Sequence, residues 1–286
     1  MFALKSDVKM TGSFSHLGRL ASRFSGAFTS VTTRKTTKRA TRVISSKFRG
    51  FITISYLKQW VFLKINMGKL VLGIDESGRG PVVGDMVIVG AMFDKDDEEK
   101  LKRIGVKDSK LLSAKRREEL YPHILNIAKK IKVVSIPPQE IDQRFAVNSN
   151  LNNMEAVKFA EIVNELRPEI AIIDTPSANT ENFKRYLSQF LDHFPVLNCE
   201  NYADKNHVSV SAASIVAKVL RDSKIRDIEI EVGMPIGIGY PSDPVTLGFV
   251  EKALDNKEWL KKYIRKSWLT FQRIKEEKEQ KRLGDF

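Results

Sequence analysis

The sequence predicts an α/β fold: a mixed sheet flanked by helices, with a small helical appendage at the C-terminal end. Three observations carry this. Short apolar runs alternate with amphipathic stretches from Leu70 onward, the first two runs are joined by a turn too short for a parallel crossover, and the closing segment is charged at helical period. The 286 residues suffice for one large domain or two small ones, and 42% hydrophobic content is ordinary for a globular protein.

Taken in order, residues 1–50 are rich in Ser, Thr, Lys and Arg, as in Ser30-Val-Thr-Thr-Arg-Lys-Thr-Thr-Lys-Arg39, and show no sustained apolar period. Such a segment buries too little surface to offset its ordering entropy, so disorder is expected for a leader spanning 1–66. The leader fits a mitochondrial-type transit peptide, a basic nucleic-acid-binding arm, or sequence upstream of a true start at Met67. Phe51–Ile65 is interrupted by Lys58 and Lys64 and is shorter than the roughly 20 residues of a membrane span, so a short strand or a surface helix is expected there.

Leu70–Ile74 reads as a strand. Met86–Phe93 reads as its antiparallel partner across a Gly/Pro-rich turn. An acidic loop, Asp94–Glu99, is expected next, then a helix capped by Ser113 with Leu120, Ile124, Ile127 and Ile131 along one face. Lys132–Ile136 is strand-like and ends at Pro137-Pro138. A helix over about Asn152–Leu166 is closed by Pro168, and Glu169–Asp174 is a short apolar strand ending on an acid. Asn179–Leu191 predicts a helix, Val196–Asn198 a strand, and Val208–Glu231 a long helix whose Ser209-Val-Ser-Ala-Ala-Ser-Ile-Val-Ala stretch lets backbone approach a sheet closely. Asp243-Pro244 caps a helix through about Leu254, and Lys257–Arg282 reads as one or two basic amphipathic helices carrying Trp259 and Trp268.

The net charge of +13 is not a property of the body. Residues 1–66 hold thirteen Lys or Arg and one acid, so the leader carries +12 and the remainder +1. The charge is therefore no argument that the folded body binds nucleic acid. A single cysteine, Cys199, excludes a disulfide framework and a cysteine-rich zinc site, and fits a reducing compartment. His16, His123, His193 and His207 show no ligand spacing.

The chemistry is concentrated in carboxylates. Asp75 and Glu76 end the first strand, Asp174 ends another, and Asp222 lies on the long helix, so the four can converge on one cleft. Hard cations such as Mg²⁺ and Mn²⁺ take oxygen ligands, and two-metal hydrolysis needs several carboxylates around ions roughly 3.5–4 Å apart. Singly, each acid also reads as a turn residue, a solvated charge, a cap, or, for Asp222, the i,i+4 partner of Lys218. The adjoining Gly78-Arg79-Gly80 favours function: glycines admit a substrate backbone, and Arg79 can pair with a phosphate. Tyr240, between Gly239 and Pro241, can present its ring to a sugar or base, or simply belong to a tight loop.

Asp75-Glu-Ser-Gly-Arg-Gly-Pro81, Lys107-Asp-Ser-Lys110, Ile173-Asp174, Ser211-Ala-Ala-Ser-Ile-Val-Ala-Lys218 with Arg221-Asp222, and Gly239-Tyr-Pro-Ser-Asp243 resemble, in order and approximate spacing, ribonuclease HII, the type 2 ribonuclease H, in its archaeal branch. The resemblance runs from about Gly68 to Leu269. It implies a ribonuclease H-like fold and an endonuclease that cuts the RNA strand of RNA/DNA hybrids, and cuts 5′ of ribonucleotides embedded in duplex DNA, leaving 3′-hydroxyl and 5′-phosphate ends. By the same resemblance Asp75, Glu76, Asp174 and Asp222 would hold two Mn²⁺ or Mg²⁺ ions, one activating water and the other stabilising the leaving oxygen. Gly78, Arg79 and Gly80 would read the ribose 2′-hydroxyl, Tyr240 would pack on the next sugar, and Lys110, with Lys107 less directly, would hold phosphates. Trp268 is either a packing anchor or part of a duplex-binding surface. The chain departs from the commonest wording at Ser77, at Tyr202-Ala-Asp204, where a Lys often precedes Ala-Asp, and at His207-Val-Ser-Val.

The expected organisation is the leader 1–66, a catalytic domain 67–243 and a helical substrate-binding appendage 244–286. A cytoplasmic monomer that acts on hybrid and ribonucleotide-containing duplex, with no membrane association, is expected; a mitochondrial location follows if the leader is a transit peptide. Two rival functions are a metal-dependent phosphohydrolase of small phosphate esters and a non-catalytic hybrid-binding protein.

Overall fold

The chain forms a five-stranded mixed sheet between helical layers. The structure, a computed structural model, describes residues 69–255 and 258–284, with side chains described through 280; the leader and Phe51–Ile65 lie outside the described residues. Strands β1 (Leu70–Ser77), β2 (Met86–Asp94), β3 (Lys130–Ile136), β4 (Ile170–Asp174) and β5 (Val196–Glu200) are ordered β3-β2-β1-β4-β5. β2 pairs antiparallel with both β1 and β3, while β4 runs parallel to β1 and β5, so the antiparallel opening turns into a parallel half.

The helices are α1 (Glu98–Arg103), α2 (Ala114–Ile127), α3 (Pro138–Gln143), α4 (Leu151–Leu166), α5 (Thr180–Ser188), α6 (Ala203–Asn206), α7 (Val208–Val232), α8 (Pro244–Leu254) and α9 (Leu269–Gly284). Two expectations are corrected. The acidic Asp94–Glu99 segment is no plain loop: it makes a 3₁₀ turn and enters α1, because Asp97–Lys100 and Glu99–Lys102 pair at i,i+3 and Leu101 is buried beneath them. Ile131 is not on the α2 face; Ala128 leaves the helix extended, and Ile131 pairs with Ala91 on β3. Ser113 and Asp243 cap where the sequence puts them, and Asn179, read as the first residue of its helix, is the cap. Ser113 accepts from the Arg116 N–H, Asn179 from that of Asn182, and Asp243 from that of Val245.

Strand alternation sorts the core into two layers. On β2, Met86, Ile88 and Met92 face α4 and α5, where Phe159 and Phe183 meet edge to face at 5.8 Å. Val87, Val89, Ala91 and Phe93 face α2 and the small residues of α7. That helix lies so close to β1 that a Cβ on Gly73 would fall 2.3 Å from the Ser209 carbonyl, which is why the contact needs both a glycine and the Ser/Ala stretch. A third apolar group joins the turn after β1 to the C-terminal segment: Val82 and Val83 pack with Ile225, Phe249, Ile264 and Phe271, and Val83 bridges to Ile264. Among the described residues, no helix is long and apolar enough to cross a membrane.

Candidate functional site

Parallel pairing fixes the first two acids. β1 and β4 are in register through Ile74 and Ile173, so Asp75 and Asp174 are the next residues along at the same sheet edge. The third comes from a turn. After β5 the backbone passes through Tyr202 in the left-handed region (φ 60°) into α6, which returns Asp204 to that edge, and the Ala203 N–H donates to Asp174 Oδ1 at 3.3 Å. One carboxylate oxygen from each of Asp75, Asp174 and Asp204 lies within 4.8 Å of the others.

Three acids so close cannot all ionise without a counter-charge. Burial, then the Glu76 charge, pushes the Asp75 carboxyl up to about 8, against the pull of Lys218 and a hydrogen bond from Ser214. Glu76 also rises to about 8, by burial and then by the charges of Glu155 and Asp174. Asp174 rises to about 7, through burial followed by Asp75 and Asp204. Asp204 Oδ1 is buried without a hydrogen-bond partner, while its Oδ2 lies 3.4 Å from the Lys110 ammonium. All-oxygen donors, mutual repulsion and an orphaned carboxylate oxygen fit a hard divalent cation.

The fourth acid expected from sequence lies elsewhere. Asp222 is outside this group: its carboxylate meets Arg221 at 3.1 Å and Arg117 at 3.8 Å, and its side chain is 36% exposed. Asp204 stands in the group instead. The sequence signal was the Tyr202-Ala-Asp204 triplet, an acid just after a short strand, as Asp174 is the last residue of β4. Glu76 lines the same cleft of about 390 Å³ with Asp174, Lys110, Asn201 and Tyr202. Lys107 is exposed and is not among the residues lining the cleft.

The Gly78-Arg79-Gly80 turn is built from residues distant in sequence. Gly78 has φ 86°, and a Cβ there would lie 2.7 Å from the Asp85 carbonyl oxygen, so only glycine fits. The Arg265 guanidinium, fully buried, donates to the carbonyls of Gly78 (2.6 Å), Arg79 (3.0 Å) and Gly84 (2.9 and 3.0 Å), and the Trp268 indole N–H donates to Gly80 at 3.1 Å. Burial, with Arg221 nearby, pulls Arg265 down to about 9, which leaves it charged at neutral pH. In a trans peptide the C=O and N–H point in opposite directions, so drawing the Gly78 and Arg79 carbonyls inward turns the Arg79 and Gly80 N–H groups outward.

The Arg79 side chain is anchored by two residues of α4. Its Nε donates to both oxygens of buried Glu155 (3.0 and 3.2 Å) and its Nη2 to Asn152. Burial pushes Glu155 up to about 7 against the pull of Arg79. Tyr240 stands on the turn's other side: a Cβ on Gly80 would lie 3.4 Å from its ring, and the Gly239 carbonyl accepts from the Val82 and Val83 N–H groups. Arg265, Glu155 and Asn152 carry no local motif, and only the fold discloses them.

A mixed sheet flanked by helices, with an all-oxygen acid group at the ends of β1 and β4 that could hold a metal ion, defines an α/β protein with a carboxylate-lined cleft. A family model described as Ribonuclease HII matches residues 72–271. A ribonuclease HII of Methanothrix thermoacetophila is 41% identical over 206 residues, which are 72% of this chain and 97% of that one. Among solved structures, the ribonuclease H2 of Pyrococcus horikoshii superposes with a TM-score of 0.67 at 35% identity, covering 73% of this chain and 98% of that one. Ribonuclease HII of Archaeoglobus fulgidus, solved in a complex with PCNA, gives 0.60 at 36% identity, with 65% and 88% covered. The chain belongs to the ribonuclease HII family.

Proposed function

We propose that this chain is an endoribonuclease that hydrolyses the RNA strand of RNA/DNA hybrids and cuts 5′ of single ribonucleotides in duplex DNA, leaving 3′-hydroxyl and 5′-phosphate ends. The observation that carries the reading is the convergence of Asp75, Asp174 and Asp204 within 4.8 Å, next to a glycine turn whose outward N–H groups can meet a ribose. Asp75, Glu76, Asp174 and Asp204 would hold Mn²⁺ or Mg²⁺. Two such ions, when bound, supply Lewis-acid activation of the attacking water and of the leaving 3′ oxygen.

The chain's own residues do the rest. The Arg79 and Gly80 N–H groups donate to the 2′-hydroxyl, which deoxyribose lacks. Tyr240, fixed through Gly239 to the same turn, packs on the following sugar, and Lys110 holds a phosphate beside Asp204. Residues 244–286 serve as the substrate-binding appendage, since Arg265 and Trp268 hold the turn that selects ribose. One chain supplies every one of these groups, and we read the enzyme as a monomer; its one cysteine, Cys199, free and buried, fits the cytoplasm.

The test is cleavage of a labelled duplex carrying one ribonucleotide by wild type and Asp75→Asn, with Mg²⁺ or Mn²⁺ and with chelator. Wild type should cut once, 5′ of the ribonucleotide, and only with metal. Equal cutting by Asp75→Asn, or cutting in chelator, refutes the site. A generic phosphodiester hydrolysed as fast as the duplex would favour the small-ester phosphohydrolase.

A further inference from the structure

Tyr202 is an aromatic side chain in an unusual place. Its backbone is left-handed (φ 60°, ψ 34°), a conformation bulky residues rarely adopt and one that clusters at functional sites. The residue is 61% exposed, and two ammonium groups stand near its ring, Lys205 at 4.6 Å and Lys110 at 5.8 Å from the centroid. The turn beneath it is braced, since the Asn201 side-chain amide donates to the Thr175 (2.8 Å) and Ser177 (2.9 Å) carbonyls. The ring lines the same cleft as Glu76 and Asp174, and Asp204 follows two residues later.

Sheet order sets its direction from the acids. The Gly78–Gly80 turn, with Tyr240, follows β1 on the β2 side, whereas Tyr202 follows β5, across β4. The Gly78–Gly80 turn and Tyr202 therefore leave the sheet from strands on either side of β4. An exposed aromatic residue with two lysine ammonium groups near its ring, at a cleft lined by Glu76 and Asp174, matches the chemistry of a sugar–phosphate chain, in which an apolar sugar face alternates with phosphates.

We propose that Tyr202, Lys205 and Lys110 form a second strand-holding subsite. The Tyr202 ring packs on a sugar of the cleaved strand on the β5 side of the cut, and the lysines engage the phosphates that flank it. This rests on the hybrid-nuclease reading and extends it from Lys110 to Tyr202 and Lys205, which that reading does not use. The subsite is indifferent to the 2′-hydroxyl. It governs affinity and register, while the Gly78–Gly80 turn governs selection of ribose.

The experiment is steady-state cleavage of the one-ribonucleotide duplex by full-length wild type, Tyr202→Gly, Tyr202→Phe and Lys205→Ala, with Mn²⁺ affinity measured on each. Glycine removes the ring yet suits the left-handed backbone, so folding is not put at risk. Tyr202→Gly should raise KM roughly 5- to 100-fold, the range for losing one aromatic stacking contact, with kcat within about twofold and Mn²⁺ affinity unchanged. Tyr202→Phe should keep a KM within about twofold of wild type. Lys205→Ala should lower the slope of log KM against log salt by about one unit.

Unchanged KM in Tyr202→Gly, equal losses in the Gly and Phe variants, or a loss confined to kcat and Mn²⁺ affinity would each overturn the proposal; the last would mean that the turn only positions Asp204. Wild type that fails to cut the duplex overturns the nuclease reading itself, and the subsite with it.

Discussion

Asp204→Asn and Asp222→Asn, compared side by side, decide which acid completes the metal group. Asp204 contributes an oxygen within 4.8 Å of Asp75 and Asp174, and its Oδ1 has no partner from the protein. Replacing it by an amide removes one unit of negative charge where a cation would bind. Metal stabilisation of transition-state charge amounts to several kcal/mol, and each 1.36 kcal/mol is tenfold in rate, so Asp204→Asn should lower kcat/KM by about 10²- to 10³-fold. Asp222 instead faces Arg221 and Arg117 with a side chain 36% exposed, and an ion pair of that exposure contributes about 0–1 kcal/mol to stability. Asp222→Asn should therefore keep kcat/KM within about threefold and stability within about 1 kcal/mol. Duplex cleavage gives the rates, Mn²⁺ titration by calorimetry gives the affinity, and thermal melting shows that both variants fold. Asp204→Asn should melt no lower than wild type in chelator, because it relieves repulsion on Asp174. If Asp222→Asn loses metal and activity while Asp204→Asn keeps both, the grouping drawn from the structure is wrong.

Three further outcomes are expected. Arg265→Met should destabilise the chain by about 3–5 kcal/mol, since it leaves the Gly78, Arg79 and Gly84 carbonyls without their buried donor; urea unfolding reads this, and a loss under about 1 kcal/mol would contradict it. Gly73→Ala should cost about 1–3 kcal/mol by pushing α7 from β1, and a melting temperature equal to wild type would show that the helix shifts freely. Asp75, Glu76 and Asp174 bind protons more tightly folded than unfolded, from ordinary values of 3.8, 4.5 and 3.8 up to about 8, 8 and 7. The metal-free fold thus holds more protons than the unfolded chain between about pH 4 and 8, and loses stability as pH rises through that window. Saturating Mg²⁺ should flatten the decline; melts in chelator that rise with pH across it would refute the repulsion argument.

The sequence alone determined the fold class and the identity of most elements. Their signals are local: short continuous apolar runs at β1 and β2, Ser113, Asn179 and Asp243 at helix starts, and the Ser/Ala stretch that let α7 approach Gly73. It also marked Asp75, Glu76 and Asp174, because each ends a strand or directly follows an acid that does, and the parallel register of β1 with β4 then brings Asp75 and Asp174 together. Tertiary structure alone decided the third member of the group. Asp222 and Asp204 are both single acids near the same long helix, and only the direction of the turn at Tyr202 and the presence of Arg117 and Arg221 separate them. The same holds for the Gly78–Gly80 turn. Its glycines were legible, but its orientation depends on Arg265 and Trp268, some 190 residues away, and the Arg79 side chain is held by Glu155, which no local signal names. Periodicity and capping report what a residue does within its own segment, whereas a buried charge is placed by partners that any segment can supply.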